Sequence, residues 1–353
     1  MSLRKLLLDH FRAYPVMQAA DMLKLIYQNE FGPGHFAADK DASLEKLKDE
    51  MMSADNMREN GNLYEDIGDS LCRLNLAAVK NMCLEAETIN MFFMNTADRP
   101  RGSVKGFEKK LDIFLRCCDS GDLPFSAEEI RKSIKEYKEK GYPPIGHSTA
   151  YREQYMPSYR VVERDYCAYI AVFEKIDCLM RAKNTVSLAI DGRCGSGKSR
   201  LASLINSIYD CNMFHMDDFF PGSRDRAKKR LDETGRNIDQ ERFKAEVING
   251  IESGRTFYYR KYDCKTNLYS PKIEVRPKRL NVVEGSYSMH PALEKYYDLK
   301  IFLYIRKSEQ EKRIMKRNGQ PMFDRFINEW IPMEEKYFRE TKIMDRSDLV
   351  FKF

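Results

Sequence analysis

The sequence has no long hydrophobic run and no strong excess of charge of either sign. Its 353 residues include 60 lysines and arginines against 54 aspartates and glutamates, which leaves a net charge of only +6. Such a balance is too mild to indicate a nucleic-acid partner. No stretch approaches the roughly 20 apolar residues of a membrane span, and the N-terminus lacks the apolar core of a signal peptide. We therefore expect a cytoplasmic protein with no nucleic-acid and no membrane partner.

The sequence also lacks paired cysteine motifs. Nine cysteines are scattered along the chain, and none forms a Cys-x-x-Cys pair. This pattern is not that of a zinc site or of a disulfide framework. Reduced thiols are expected throughout.

The N-terminal half is predicted to be helical. Since 353 residues are long for one domain, we expect two, with a boundary near 180 where the hydrophobic period changes. Apolar residues at 71, 74, 76 and 79 predict one helical face, and 161–182 predicts a last helix. His35, His147 and Arg152 lie beside glycine-rich turns and could receive an anion; the alternative is that they cap helices and fill polar corners.

The most informative motif lies at 192–199 and matches the phosphate-binding pattern G-x-x-x-x-G-K-[ST]. It consists of Gly192, Arg193, Cys194, Gly195, Ser196, Gly197, Lys198 and Ser199. An apolar run at 185–190 predicts a strand before it, and apolar residues at helical spacing predict a helix after it. In such a loop the backbone N–H groups bind ATP phosphates, the lysine reaches the β/γ oxygens and the serine ligates Mg²⁺. The alternative is a glycine-rich surface turn, which would need neither the strand nor the lysine and helix.

Carboxylates follow two further predicted strands. The strand at 211–216 ends at Asp217 and Asp218, and the strand at 279–283 ends at Glu284. Since ligands bind at the carboxyl ends of parallel strands, these acids are expected to face the loop. One aspartate could take a proton from a substrate hydroxyl or help hold the metal, and Glu284 could bind Mg²⁺ opposite the loop serine. For the aspartates, the alternative is an acidic helix N-cap.

Two basic segments are further candidates. In the helix predicted at about 308–317, Arg313 and Arg317 lie one turn apart and share a face. On a closing lid they would neutralise charge on the transferred phosphoryl group, whereas a solvated face is the alternative. The basic segment 222–236 could be a flap over the acceptor or an ordinary solvated loop.

Residues 183–353 resemble uridine kinases and their phosphoribulokinase and pantothenate kinase relatives. The shared motifs, in order, are the 192–199 loop, Met216-Asp217-Asp218-Phe219-Phe220, Asn237-Ile238-Asp239, Tyr262-Asp263 and Glu284-Gly285-Ser286. The resemblance implies that Asp217 is the general base, that Asp239 contacts sugar hydroxyls and that Tyr262 lines the nucleoside site. Asp218 is assigned to substrate binding beside them.

This chain departs from the family at two positions. Asn267 stands where the nucleoside enzymes have a histidine, and Phe220 stands where they have a tyrosine. Both changes fall in the base-recognising pocket and leave the phosphate machinery intact. The resemblance therefore supports the reaction type better than it supports uridine as the substrate.

The sequence as a whole predicts an α/β fold of the P-loop NTPase type at 181–353, a parallel sheet with helices on both faces, preceded by an all-α domain at 1–180. The predicted activity is ATP- and Mg²⁺-dependent transfer of the γ-phosphoryl group to a hydroxyl of a uridine-like nucleoside or related small molecule. Pantothenate or a sugar phosphate are alternative acceptors. A non-catalytic ATP-sensing module is a further alternative, although a sensor needs no acceptor base. The sequence has no N-K-x-D guanine-reading motif, so a GTPase is disfavoured. Assembly into a homo-oligomer is possible.

Overall fold

The computed structural model describes residues 2–33, 39–53, 62–221, 238–264 and 266–353. The chain divides into two compact units, 1–170 and 171–353, and each is described by itself. Within the described ranges, no helix is both long enough and apolar enough to cross a membrane.

Helices form most of the first unit, as predicted. They are α1 Leu3–Ala13, α2 Ala19–Phe31, α3 Lys40–Ser53, α4 Leu76–Val79, α5 Ala86–Ala97, α6 Val104–Asp119, α7 Ala127–Glu139, α8 Thr149–Tyr155 and α9 Arg164–Ala168. Serine side chains begin several of them; Ser103, for example, accepts the Gly106 N–H at the start of α6. Apolar residues at helical spacing, such as Phe107, Leu111 and Phe114 in α6, then fall on the buried face.

The first unit also contains a three-stranded antiparallel sheet, which the sequence analysis missed. Its strands are β1 Tyr64–Gly68, β2 Leu71–Asn75 and β3 Tyr159–Glu163, with β2 in the centre. The predicted helical face at 71–79 is therefore a strand followed by the single turn of α4, and the helix predicted from 161 begins only at Arg164. Short apolar runs fit both periods, and pairing with a distant strand decides between them.

The second unit contains a five-stranded parallel sheet in the order β12-β11-β4-β10-β5, which confirms the predicted α/β fold. The unit's strands are β4 Val186–Gly192, β5 Cys211–His215, β6 Phe257–Tyr259, β7 Tyr262–Asp263, β8 Leu268–Tyr269, β9 Ile273–Val275, β10 Leu280–Glu284, β11 Leu299–Tyr304 and β12 Leu349–Lys352. Every residue of β4 and β10 is buried. Burial along the whole strand is typical of the centre of a parallel sheet that is covered on both faces.

The helices of the second unit connect these strands. They are α10 Ile170–Ala182, α11 Lys198–Asn206, α12 Gln240–Phe243, α13 Asn249–Ser253, α14 Lys307–Asn318, α15 Gln320–Arg325 and α16 Ile331–Thr341, with π-helical turns at Lys244–Ile248 and Phe326–Trp330. From β4 the chain runs to β5 and β10 on one side, and it later crosses to β11 on the other. This reversal places a ligand crevice at the carboxyl ends of β4 and β10.

The cysteines agree only in part with the expectation of reduced thiols. Seven are free, namely Cys72, Cys117, Cys118, Cys167, Cys194, Cys211 and Cys264. Cys83 and Cys178 are disulfide-bonded, so the expectation is wrong at these two positions. Sequence spacing alone does not reveal which cysteines oxidise.

Candidate active site

The phosphate-binding loop joins β4 to α11, as its sequence requires. Gly192 has φ of +139°, and a Cβ placed there would lie 2.1 Å from the Leu303 carbonyl oxygen on the neighbouring strand. Gly197, at φ +103°, forms the N-cap of α11. Both positions need glycine, and together they let the loop turn from the sheet edge into the first turn of the helix.

Lys198 folds back over the loop that precedes it. Its Nζ donates to the carbonyl oxygen of Gly192 at 2.6 Å and to that of Arg193 at 3.2 Å. It also donates to Ser286 Oγ at 3.2 Å, just beyond the end of β10. The lysine therefore stands between the carboxyl ends of β4 and β10, where the phosphates of a nucleotide would lie.

Ser199 and Glu284 meet across the same edge. Ser199 Oγ lies 3.3 Å and 3.2 Å from the two carboxylate oxygens of Glu284. His215 Nδ1 donates to Glu284 Oε1 at 2.6 Å, and this contact raises the pKa of His215. Sequence reasoning did not single out this histidine, although it is the last residue of β5 and so lies beside Glu284 in the sheet register.

The pairing of Ser199 with Glu284 fits a Mg²⁺ ion. Hydroxyl and carboxylate oxygens are the ligands that Mg²⁺ prefers, and the ion usually takes only one or two from the protein, with the rest from phosphates and water. Among the described residues, no group of three or more His, Cys, Asp or Glu could hold a metal by itself. Ser199 and Glu284 thus offer two oxygen donors of the kind that such an ion takes from a protein.

Asp217 lies in the 3-10 turn that directly follows β5. Its side chain is open to solvent, as contact with an acceptor requires. Partial desolvation nevertheless raises its pKa, the positive charge of Lys198 lowers it, and neighbouring carboxylates, Glu284 first among them, raise it again. The net effect is upward, so the carboxylate binds a proton more readily than an ordinary aspartate does.

The predicted substrate residues Asp218, Asp239 and Tyr262 each contact another residue of the second unit. Asp218 forms an ion pair with Lys261 at 3.1 Å. Asp239 accepts the Arg242 N–H at 3.1 Å and caps α12, which is a structural contact alongside any substrate role.

Tyr262 is buried at 5% exposure, and its hydroxyl donates to Asn267 Oδ1 at 3.1 Å. Asn267, at φ +57°, is one of the two positions at which the sequence analysis found a departure from the nucleoside kinases that this chain resembles. In this chain it therefore holds the tyrosine in place. The family motif residue Asn237 and the basic segment 222–236 lie outside the described residues.

The two arginines predicted to lie on a lid, Arg313 and Arg317, are placed differently. Arg313 Nη1 donates to the Gly195 carbonyl oxygen at 3.3 Å, so this side chain lies against the phosphate loop. Arg317 contacts Asn318, at 2.8 Å, and the face of Phe326. The structure thus brings Arg313, and not Arg317, to the loop.

Glu334, on α16, is a site residue that sequence reasoning missed. Its Oε2 accepts the backbone N–H of Cys194 at 2.9 Å, and its Oε1 accepts the hydroxyl of Ser286. The neighbouring Glu335 pairs with Arg193 at 2.7 Å. The sequence pattern does not predict these contacts, because only the packing of α16 brings the two glutamates to the loop.

Asp191 is a second residue that was missed. Fully buried at the end of β4, it accepts the N–H of Gly192 at 2.7 Å and that of Met289 at 3.1 Å. The Tyr337 hydroxyl also donates to it, at 3.0 Å. Here the sequence did offer a signal, since an aspartate that closes an apolar strand is buried with it and must find donors.

The remaining candidates lie in the first unit or outside the described residues. His147 donates through Nδ1 to Asp21 at 2.9 Å, and its Nε2 accepts the Tyr159 hydroxyl at 2.7 Å. Arg152 lies in the last turn of α8. His35 falls outside the described residues.

Comparison with known proteins yields likenesses in structure alone. No family model matches the chain, and no curated protein matches it. A search of solved structures finds matches, among them proteins described as kinases.

Three of these neighbours span about half of this chain. A possible uridine kinase from Bacillus stearothermophilus is 21% identical, with 51% of this chain and 99% of that one covered and a TM-score of 0.37. Phosphoribulokinase from Rhodobacter spheroides is 14% identical, with 48% and 70% covered and a TM-score of 0.36. D-glycerate 3-kinase from Cryptococcus neoformans is 12% identical, with 48% and 87% covered and a TM-score of 0.32. Likeness at this level leaves the acceptor unassigned.

Proposed function

We propose that the second unit is an ATP-dependent kinase that transfers the γ-phosphoryl group to a hydroxyl of a small molecule, a uridine-like nucleoside or a related sugar-like compound. The observation that carries the proposal is the position of Asp217. It lies one strand away from Glu284 and within electrostatic reach of Lys198. An acceptor base, a metal-binding carboxylate and a phosphate-binding lysine thus share one edge of the sheet.

The roles of the residues follow from their positions. The backbone N–H groups of the loop and Lys198 bind the phosphates, and Ser199 with Glu284 would hold Mg²⁺, which would shield the charge of the phosphates. Asp217 accepts the proton of the acceptor hydroxyl while the hydroxyl oxygen forms a bond to the γ-phosphorus. The bond between the γ-phosphorus and the bridging oxygen of ADP breaks, and ADP leaves with its electron pair. Arg313, against the loop, is placed to neutralise charge on the transferred group. Catalysis of this kind consists mainly of positioning and electrostatics.

The acceptor is proposed by class. Asp218 lies in the same turn as Asp217, and the strand of Tyr262 and the backbone of Asp239 contact that turn. We assign these three residues to the acceptor site, where they would bind a sugar-like molecule. The Tyr262 hydroxyl donates its hydrogen bond to Asn267 and so does not donate it to a substrate. A pocket altered in this way need not accept a pyrimidine base, so the acceptor panel should include nucleosides, sugar phosphates and pantothenate.

The test measures ADP release by the full chain with ATP, Mg²⁺ and each acceptor in turn. Asp217→Asn should lower kcat by about a hundredfold or more with the acceptor that wild type uses, while ATP binding is unchanged. Asp210→Asn, at an exposed position paired with Lys278, is the matched control and should leave kcat unchanged. An unaffected rate in Asp217→Asn would exclude the aspartate as base. ATP binding without acceptor-stimulated turnover across the panel would instead favour an ATP-sensing module.

A further inference from the structure

A cavity of about 620 Å³ lies within the first unit, apart from the residues assigned to phosphoryl transfer. Its walls come from α2, α3, α5, the segment before α8, and β3 with the residues before it. Phe93, Tyr159 and His147 supply aromatic surface, while Lys24, Lys46 and Arg160 supply positive charge. The volume is in the range of pockets that enclose small molecules.

The cations of this cavity are incompletely paired. Among the described residues no carboxylate lies within ion-pair distance of Lys24 or Lys46, and Lys24 Nζ donates to the Ile145 carbonyl oxygen at 3.2 Å. Arg160 pairs with Glu50 through Nη1, but its buried Nε–H has no partner in the described part of the chain. A buried donor without an acceptor is costly, so a bound oxygen anion would relieve the deficit.

The electrostatic surroundings favour an anion at Lys24. Burial and the nearby positive charges of Arg73 and Arg152, only partly offset by the charge of Asp21, together lower the pKa of Lys24 to about 8. An anion beside the amine would reverse this effect, because it would stabilise the ammonium form.

The inner wall of the cavity is held rigid by hydrogen bonds. Asp21 accepts from His147, and His147 accepts from the Tyr159 hydroxyl, which in turn accepts from Gln28 Nε2 at 3.3 Å. Burial lowers the pKa of His147 to about 4, so the imidazole is neutral at neutral pH. The hydrogen-bonding groups of this wall are therefore used by one another. Lys24 and Arg160 are the residues whose N–H groups can still donate to an anion.

The rim of the cavity carries two carboxylates, Asp49 and Glu50. A ligand that is an anion throughout would be repelled by them, whereas hydroxyl groups would donate hydrogen bonds to them. We propose that this cavity binds a small polyhydroxylated oxyanion, a sugar phosphate or a sugar acid, with the anion at Lys24 and Arg160 and the hydroxyls toward Asp49.

Three probes with the same five-carbon skeleton test the proposal: ribose 5-phosphate, ribonate and uncharged ribose. Isothermal titration calorimetry of the full chain should show binding of at least one anion and much weaker binding of ribose. The better of the two anions identifies phosphate or carboxylate as the preferred group. Ribose binding as tightly as both anions would overturn the proposal.

Variants place the binding in this cavity. Lys24→Gln should weaken binding of the preferred anion by about tenfold to a hundredfold, since a partly buried charge-assisted contact is lost. Lys46→Gln, at an exposed position where the fold is not at risk, should weaken it by about threefold. Lys48→Gln is the matched control: it lies two residues further along α3, pairs with Glu87 at 3.2 Å and does not line the cavity. Equal affinities in the Lys24, Lys46 and Lys48 variants would overturn the assignment.

A measurement on the unmodified protein removes any dependence on the folding of a variant. The bound anion should slow acetylation of Lys24 by acetic anhydride, followed by mass spectrometry, and leave Lys48 unaffected. Lys198→Ala, in the second unit, should bind the anion like wild type. This last result separates the first-unit cavity from the proposed kinase site, so either proposal can fail alone. Acetylation of Lys24 at the same rate with and without anion would contradict the cavity site.

Discussion

Asp191 should impose a measurable pH dependence on the stability of the second unit. Its carboxylate is fully buried behind the phosphate loop, and burial raises its pKa to about 6 from the ordinary 3.8. The charge of Lys198, the N–H groups of Met289 and Gly192, and the Tyr337 hydroxyl all oppose this rise. Burial outweighs these contacts together, so the folded protein retains the proton to a higher pH than the unfolded chain does.

The sign and size of the effect follow from that difference. Well below pH 3.8, the ordinary pKa of an aspartate, the residue is protonated in both states, and its stabilising contribution is fully present. As the pH rises through about 6 the folded protein loses this proton, and the contribution is lost. A shift of about two pKa units corresponds to about 3 kcal/mol in total, of which about 2 kcal/mol falls between roughly pH 4.5 and pH 7.5.

Asp191→Asn isolates this contribution, because the amide does not ionise and still offers an oxygen to the same donors. The variant's free energy of unfolding, relative to wild type, should increase by about 2 kcal/mol from roughly pH 4.5 to pH 7.5. Trp330 is the single tryptophan of the chain and lies in the second unit, so its fluorescence during urea unfolding reports on that unit. Asp210→Asn, exposed and distant from the loop, is the control and should show a nearly constant difference. A difference for Asp191→Asn that is constant across this range, or that changes in the opposite direction, would refute the reasoning.

Three further predictions concern the nucleotide and the metal. Lys198→Ala should abolish ATP turnover while the circular dichroism spectrum stays that of wild type, because the side chain contacts only loop carbonyls and a hydroxyl; an unchanged rate would remove the phosphate-binding role. Glu284→Gln should raise the Mg²⁺ concentration for half-maximal turnover by about tenfold, since one ligand charge is lost; an unchanged Mg²⁺ requirement would argue against this carboxylate as a ligand. Glu334→Gln should tighten ATP binding by about tenfold, because it removes the repulsion between this carboxylate and the phosphates, which is roughly 3 kcal/mol at most. Glu335→Gln, which loses the ion pair with Arg193, is the control and should not tighten ATP binding. Weaker ATP binding in Glu334→Gln would show that the glutamate assists nucleotide binding.

The parts of the site that are local in sequence could be predicted. The loop at 192–199 needs glycines at fixed spacing, and the strand before it is an uninterrupted apolar run, so both are written in adjacent residues. The carboxyl ends of parallel strands lie at the same edge of a sheet, so the sequence alone places the acids at 217 and 284 at one edge. The five strands of the parallel sheet followed from the same alternation of strand and helix.

The parts that depend on long-range packing could not be predicted. Glu334 reaches Cys194 only because α16 packs against the loop, about 140 residues away in sequence. Similarly, β2 is a strand because β1 and β3 pair with it on both sides. The two lid arginines look equivalent on a helical wheel, yet the structure brings only Arg313 to the loop. Hydrophobic period and spacing describe one element at a time, and these contacts are made between elements.

The distribution of charge around the crevice accounts for why nucleotide and metal should bind together. Lys198 faces three carboxylates, Asp217, Glu284 and Glu334, and the last two raise the pKa of Asp217. A triphosphate alone would add negative charge to this set, and one ammonium group could not balance it. A Mg²⁺ ion between Ser199, Glu284 and the phosphates would supply the missing positive charge at the point where the carboxylate already lies. The same carboxylates that repel a bare nucleotide are then the ones that favour its magnesium complex, and the affinities of ATP and Mg²⁺ must increase each other by the same factor.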